Sequence, residues 1–172
     1  MGISDSVLRQ KTGSPVFNDT WVNFANVREY KGIDPGNFSL ETTFRNASAV
    51  EASACRKVRI LILGTRAPII ITMADKGCIS DVDLYDGEAY VSGLNHDLSA
   101  FGCDFSQFQH LECRVEQHRF QIFLNNKLII NNLQSKTIEK VVGIRFETQG
   151  AAEIKNVKLS TPGGSVYDDN FK

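Results

Sequence analysis

Three aspartates in the stretch ISDVDLYDGEAYVS, residues 79–92, have the spacing D-x-D-x-x-D: Asp81, Asp83 and Asp86. Carboxylates at such spacing suit three roles: the reacting pair of a glycoside hydrolase, the ligands of a calcium loop, or the polar face of a hairpin. A hydrolase requires two carboxyl groups about 5 to 9.5 Å apart that face one pocket. The strands that carry these residues therefore decide among the three roles.

The hairpin register follows from Asp86-Gly87, which is typical of a two-residue turn and predicts that Asp83 lies opposite Tyr90. Alternate residues of the two strands then separate into two faces, since side chains in a strand have a period of two. The apolar face, predicted to be buried, carries Val82, Leu84, Ala89 and Val91. The polar face carries Asp81, Asp83, Tyr85, Glu88, Tyr90 and Ser92.

This register argues against catalysis by the aspartates. Asp86 leaves the face shared by Asp81 and Asp83, so the three carboxylates do not converge. An EF-hand loop would need an oxygen ligand where Tyr85 stands and glycine where Asp86 stands, so that loop does not fit either. We assign no catalytic residue, no metal ligand and no cofactor, and keep calcium bound through Asp81 or Asp83 as an alternative.

Two interpretations of the polar face stay open. It is either a solvated outer sheet face or a ligand surface. In the second interpretation Tyr85 and Tyr90 stack on a sugar ring. Asp81, Asp83 and Glu88 then accept hydrogen bonds from its hydroxyl groups.

The rest of the chain repeats short apolar clusters bounded by glycine, asparagine, aspartate or proline, which predicts strands and tight turns. A two-sheet antiparallel sandwich or a barrel follows. One short helical turn is expected within residues 97–108. The predicted strands are Pro15 to Phe17, Trp21 to Arg28, Asn37 to Arg45, Val58 to Leu63, Ile69 to Met73, Cys78 to Tyr85, Glu88 to Ser92, Gln109 to Val115, Phe120 to Leu124, Lys127 to Ile130, Val141 to Glu147 and Ala152 to Leu159.

Two further turns set strand pairings. The Asn-Asn pair at 125–126 suits a two-residue turn, which pairs Leu124 with Lys127 and Ile122 with Ile129.

The second reversal lies at residues 64–68. An antiparallel register centred there sets Cys55 roughly opposite Cys78, so we predict a disulfide between them if the protein is exported.

Bulk composition excludes some partners. Nineteen basic and twenty acidic residues give a formal net charge of -1 without a strong run of either sign, so no nucleic acid partner is expected. No apolar run approaches the roughly 20 residues that span a bilayer, so we expect no membrane insertion of this segment.

Three longer segments carry a family resemblance: NFSLETTFRN at 37–46, FQHLECRVEQHRFQIFLNNKLII at 108–130 and GIRFETQGAAEIKNVKLS at 143–160. Together they resemble the concanavalin A-like lectin and glucanase superfamily. The nearest likeness is to laminin-G-like and keto-disaccharide-hydrolase-like domains of bacterial, particularly Bacteroidetes, envelope proteins.

The resemblance implies an all-β, two-sheet antiparallel jelly-roll sandwich whose concave face or rim loops bind sugars. Glucanases of the superfamily carry E-x-D-x-x-E on a central strand, and the nearest match here has Asp81 and Asp86 at the glutamate positions. The galectin ligand set has no recognisable counterpart, and Trp21 is the single tryptophan.

These features predict a non-catalytic recognition module of an exported bacterial protein, which binds carbohydrate or a protein partner. The alternatives are a glycan-cleaving hydrolase of the same superfamily and a structural or interaction domain of a larger envelope protein. Residues 1–14 are expected to form a flexible segment and residues 15–172 a single lectin-like domain, within a longer multidomain chain in the third case. We expect a secreted, periplasmic or cell-surface location.

Overall fold

Period-two alternation governs the strands, and the segment from Asn37 to Asn46 shows it without interruption. Every second residue from Phe38 onward is buried and the residues between them are half-buried. The same alternation of apolar and polar side chains recurs from Gln109 to Glu116. Each of these strands therefore has one face toward a core and one face outward.

The computed structural model describes residues 8–9, 21–25, 33–48, 55–134, 138–149 and 151–171. Within them, 3-10 turns span Ile79–Asp81 and Ser99–Phe101. The strands are β1 (Leu8–Arg9), β2 (Trp21–Ala25), β3 (Asn37–Asn46), β4 (Lys57–Gly64), β5 (Ile69–Asp75), β6 (Asp83–Tyr85), β7 (Tyr90–Ser92), β8 (Gly102–Cys103), β9 (Gln109–Glu116), β10 (Arg119–Leu124), β11 (Lys127–Gln134), β12 (Val141–Gln149), β13 (Ala152–Thr161) and β14 (Gly164–Asn170).

The strands form two sheets of seven strands each. Sheet A has the order β1-β13-β3-β9-β10-β11, and β14 pairs with β13 on the same edge as β1. Sheet B has the order β2-β12-β4-β5-β6-β7. Its pairs are antiparallel except that β8 pairs with β5 in parallel. The prediction of an all-β, two-sheet antiparallel sandwich is confirmed.

The core lies between the inner faces of the two sheets. Leu40 and Phe120 of sheet A and Ile60 and Ile62 of sheet B are fully buried. Asn46 joins the sheets at one end, because its Nδ2 donates to the carbonyl oxygens of Lys57 at 3.1 Å and of Gln149 at 2.6 Å. These bonds satisfy an amide that is fully buried.

Several predicted boundaries hold and several do not. The helical turn is confirmed at Ser99–Phe101, but the strand predicted from Cys78 begins only at Asp83, after a 3-10 turn. The strands β1, β8 and β14 have no counterpart among the predicted strands. The predicted strand at 15–17 lies outside the described residues, as does the expected flexible segment 1–14 apart from the two residues of β1.

The Asn-Asn turn is confirmed. Asn125 and Asn126 have φ angles of 49° and 65°, and Leu124 pairs with Lys127 as predicted. Further along, Ile122 pairs with Ile130 rather than Ile129, because a register shift interrupts the hairpin between Ile122 and Phe123.

Within the part of the chain that is described, no helix is long and apolar enough to cross a membrane.

Candidate functional site

The β6–β7 hairpin closes with a longer loop than the Asp-Gly turn predicts. The Asp86 carboxylate accepts hydrogen bonds from the backbone N–H groups of Glu88 at 3.0 Å and Ala89 at 2.8 Å. The backbone N–H of Asp86 donates to the carbonyl of Ala89 at 3.2 Å, and Gly87 has a φ of 95°. The prediction of a two-residue turn is therefore wrong, because the Asp86 side chain satisfies the amides of a four-residue loop.

The observed register differs from the predicted one by two residues. Tyr85 pairs with Tyr90 and Asp83 with Ser92. A shift of two leaves each strand residue on its predicted face, since the side-chain period is also two. Ala89 is the exception to the predicted apolar face, because it belongs to the loop and is exposed.

Two of the five predicted ligand residues, Asp81 and Glu88, lie outside β6 and β7, and a third, Tyr85, uses its hydroxyl within the hairpin. Asp81 ends the 3-10 turn, and its carboxylate pairs with the Lys57 ammonium at 2.9 Å. Glu88 lies exposed in the loop. Tyr85 lies opposite Tyr90 on the same face, but its hydroxyl donates to the Gly87 carbonyl at 2.9 Å and so helps to close the hairpin.

The other two predicted residues meet on the outer face of sheet B. The Tyr90 hydroxyl donates to Oδ2 of Asp83 at 3.3 Å. The Thr72 hydroxyl donates to Oδ1 of Asp83, and an Arg59 Nη2 lies 3.4 Å from Oδ2. Asp83 is thus held from three sides, on strands β4, β5 and β7.

The partners that the sequence did not reveal continue this arrangement across sheet B. Arg59 donates from Nε to the Thr72 hydroxyl at 3.2 Å and from Nη1 to Glu147 at 3.2 Å. Arg145 then approaches the other oxygen of Glu147 at 3.0 Å. Charged residues at the alternating polar positions of β4 and β12 indicate that this face of each strand points outward. Their pairing depends on strand order, which the sequence does not state.

We call this set the tyrosine platform, after its exposed residue. It consists of Tyr90, Asp83, Thr72, Arg59, Glu147 and Arg145, with two positive and two negative charges. Thr72 is fully buried, whereas the Tyr90 side chain is 64% exposed. A tethered hydroxyl under an exposed ring presents a tyrosine face in a fixed orientation.

The Tyr90 hydroxyl differs from that of a free tyrosine. Partial loss of water around it, the negative charge of Asp83 and the hydrogen bond to Asp83 together raise the pKa of Tyr90, and the positive charge of Arg59 opposes them. The protonated hydroxyl is therefore the form that the platform stabilises.

The D-x-D-x-x-D aspartates do not gather around one point, since Asp81 pairs with Lys57, Asp83 with the platform and Asp86 with loop amides. Over the ranges that the structure describes, no group of three or more histidine, cysteine, aspartate or glutamate side chains is placed to hold a metal ion.

Cys55 and Cys78, which the β4–β5 register sets near each other, form a disulfide with a Cα–Cα distance of 5.9 Å. Cys78 directly precedes the 3-10 turn that leads to Asp83. The other two cysteines are free and buried. Burial raises the pKa of the Cys103 thiol to about 12 and also raises the pKa of Cys113.

Solved structures place this architecture among known folds. The carbohydrate-binding module CBM66 from Bacillus subtilis matches with a TM-score of 0.56 and 13% identity over 83% of each chain. A galectin from Caenorhabditis elegans has a TM-score of 0.50 and 15% identity over 80% of this chain and 91% of its own. A family 7 alginate lyase in complex with its product has a TM-score of 0.51 and 12% identity over 90% and 79%.

The chain has the concanavalin A-like jelly-roll fold. No protein-family model matches its sequence, and no curated protein does. At such identities the concanavalin A-like fold is the property that these proteins share with this chain, because one fold supports many functions.

Proposed function

We propose that the protein is a non-catalytic carbohydrate-recognition module and that the tyrosine platform is its binding surface. The observation that carries the proposal is the exposed ring of Tyr90, whose hydroxyl is bonded to the anchored carboxylate of Asp83. The similar structures include a carbohydrate-binding module and a galectin, which supports a saccharide rather than a protein ligand.

The platform combines the two contacts that a sugar ring needs. The C–H face of a pyranose packs on an aromatic ring, and its hydroxyl groups need hydrogen-bond partners at the edge. Tyr90 supplies the ring. A carboxylate has about four acceptor positions, and Asp83 uses three of them for Thr72, Arg59 and Tyr90, which leaves one for a ligand hydroxyl.

Hydrolysis is the weaker alternative at this surface. Asp83 and Glu147 are the carboxylates of the platform, and the Arg59 guanidinium lies between them and contacts both. A glycosidase needs one carboxyl group that donates a proton and one that attacks or activates water. Because Arg59 contacts both carboxylates, each is already engaged by an ion pair at the position where a glycosidase would need a free acid and a free nucleophile or base.

The proposed location is outside the cytoplasm: secreted, periplasmic or on the cell surface of a bacterium. The Cys55–Cys78 disulfide supports it, because disulfides persist in oxidising compartments.

A glycan array tests the proposal, with the wild type, Tyr90→Ala and the control Leu94→Ala. Leu94 is 74% exposed in the loop that follows β7 and does not belong to the platform, so its substitution removes an exposed apolar side chain while leaving the platform residues in place. We expect Tyr90→Ala to lose the array signals and Leu94→Ala to keep them. Equal signals from Tyr90→Ala and the wild type would reject the platform. Release of reducing ends from any glycan bound by the wild type would favour the hydrolase alternative.

A further inference from the structure

A cleft on the outer face of sheet A crosses the ends of the neighbouring strands β3, β9 and β13. Its volume is about 280 Å³. Pockets for drug-sized ligands begin at about 300 Å³, so this cleft suits a ligand of one ring. We call it the serine cleft. Its polar lining includes Ser39, Glu112, Arg114, Glu116, Ser160 and Thr161.

The strand register places three hydrogen-bond donors of the serine cleft in one line. Ser160 of β13 lies opposite Ser39 of β3, and Ser39 lies opposite Arg114 of β9. Neighbouring strands are about 4.8 Å apart, so the three side chains follow one another at that spacing across the sheet. They therefore address separate groups of one ligand.

Several hydrogen-bonding groups of these three side chains have no partner among the described residues. Among the described residues, no group accepts from or donates to the hydroxyls of Ser39 and Ser160. Arg114 uses Nε and Nη2 for Glu112 and keeps both N–H groups of Nη1. Among the described residues no cation lies within ion-pair distance of the Glu116 carboxylate, whose charge acts on Arg114 from further away. Hydroxyl donors, a cationic donor and a carboxylate acceptor thus converge on one concave surface.

Arg114 is fixed before any ligand arrives. Its Nε lies 2.5 Å and its Nη2 2.9 Å from the two oxygens of Glu112, and its guanidinium carbon lies 4.6 Å from the centre of the Phe123 ring. A donor that is already oriented loses little side-chain freedom on binding.

Charge selects the class of ligand. The lining carries one positive group, Arg114, and two negative groups, Glu112 and Glu116. An acidic sugar would meet a net negative surface, whereas neutral hydroxyl groups can donate to Glu116 and accept from the serines. Pro162 adds an apolar contact for ring hydrogens.

We propose that the serine cleft is a second saccharide site that takes one neutral sugar ring. Ser39, Ser160 and Arg114 donate to the oxygens of the ring substituents. Glu116 accepts from a hydroxyl of the same ring. The site is separate from the tyrosine platform, which lies on the other sheet.

Amide NMR of the full chain tests this site. The probes are the methyl glycosides of glucose, galactose, mannose and fructose, with glucuronate as the acidic comparator. We expect at least one neutral glycoside to shift the amides of Ser39, Arg114 and Ser160. Glucuronate should bind at least several-fold more weakly because Glu112 and Glu116 repel it.

Variants complete the test. Arg114→Met keeps the apolar stem and removes the guanidinium, and we expect at least tenfold weaker binding. Ser160→Ala should weaken binding as well. Arg66→Met is the matched control, because Arg66 is 69% exposed on the β4–β5 hairpin of the other sheet, and it should bind as the wild type does.

Three results would overturn the serine cleft: no shift of these amides with any neutral glycoside, wild-type affinity in both cleft variants, or tighter binding of glucuronate. Shifts confined to the platform would reject the cleft and leave the proposed function standing. Shifts confined to the cleft would support the serine cleft and reject the tyrosine platform as the binding surface.

Discussion

The tyrosine platform and the serine cleft use polar side chains in opposite ways. On sheet B, Arg59 contacts Thr72, Asp83 and Glu147, so most hydrogen-bonding groups of the tyrosine platform are bonded to other side chains of the protein. On sheet A, Arg114 contacts Glu112 and keeps one nitrogen for another partner. A network with satisfied partners stabilises the fold and positions Tyr90, whereas an unsatisfied one adds little stability and is open to a ligand.

The disulfide beside sheet B gives the largest expected difference. Replacing both Cys55 and Cys78 with serine removes a link across 23 residues, which corresponds to about 3 kcal/mol of unfolding free energy. The local effect should appear as faster amide exchange in β4 and β5, because the link joins the segment before β4 to the segment after β5, and not in β9 and β10. Hydrogen exchange measures the rates in both pairs of strands.

Reduction of the wild type with dithiothreitol should reproduce this pattern, and the double variant serves as the control that the reagent leaves unchanged. Equal acceleration in both sheets would contradict a local role for the link.

The two arginines offer a matched pair of substitutions. Arg59→Met removes a guanidinium whose side chain is 24% exposed and which contacts Thr72, Asp83 and Glu147, and we expect the free energy of unfolding to fall by about 1 to 3 kcal/mol. Arg114→Met breaks an ion pair whose arginine is 49% exposed, with an expected loss of about 0.5 kcal/mol. Urea unfolding of both variants checks the contrast, and similar midpoints would remove the proposed difference between the two sites.

The smallest effect concerns pH. Tyr90 has a raised pKa in the folded protein, so the platform favours its protonated hydroxyl. Its stabilising contribution is complete below the ordinary tyrosine pKa of about 10 and is lost as the pH rises through the raised value. The difference in ultraviolet titration between the wild type and Tyr90→Phe isolates this hydroxyl. The substitution Asp83→Asn should move the pKa of Tyr90 back toward the ordinary value. An unchanged titration of Tyr90 would contradict its contact with Asp83.

Local patterns in the sequence were sufficient for much of the fold. The alternation in NFSLETTFRN predicted β3. The Asn125-Asn126 turn fixed the pairing at the start of the β10–β11 hairpin. These features depend on neighbouring residues alone, which the sequence contains in full. The β6–β7 loop was predicted with the wrong length because the Asp86 side chain closes it through two amides.

The candidate sites were harder to predict because they depend on which strands are neighbours. Asp83 and Tyr90 belong to one hairpin, so their common face followed from the sequence. Arg59 and Glu147 are 88 residues apart and meet because β4 pairs with β12. No local pattern contains that adjacency.

A crystal structure of the protein soaked with the strongest glycan from the array tests the central claim most directly. We predict a sugar ring packed parallel to the ring of Tyr90 with one hydroxyl hydrogen-bonded to Asp83. A glycan bound only in the serine cleft or at the rim loops, with Tyr90 uncovered, would contradict the claim that the tyrosine platform is the binding surface.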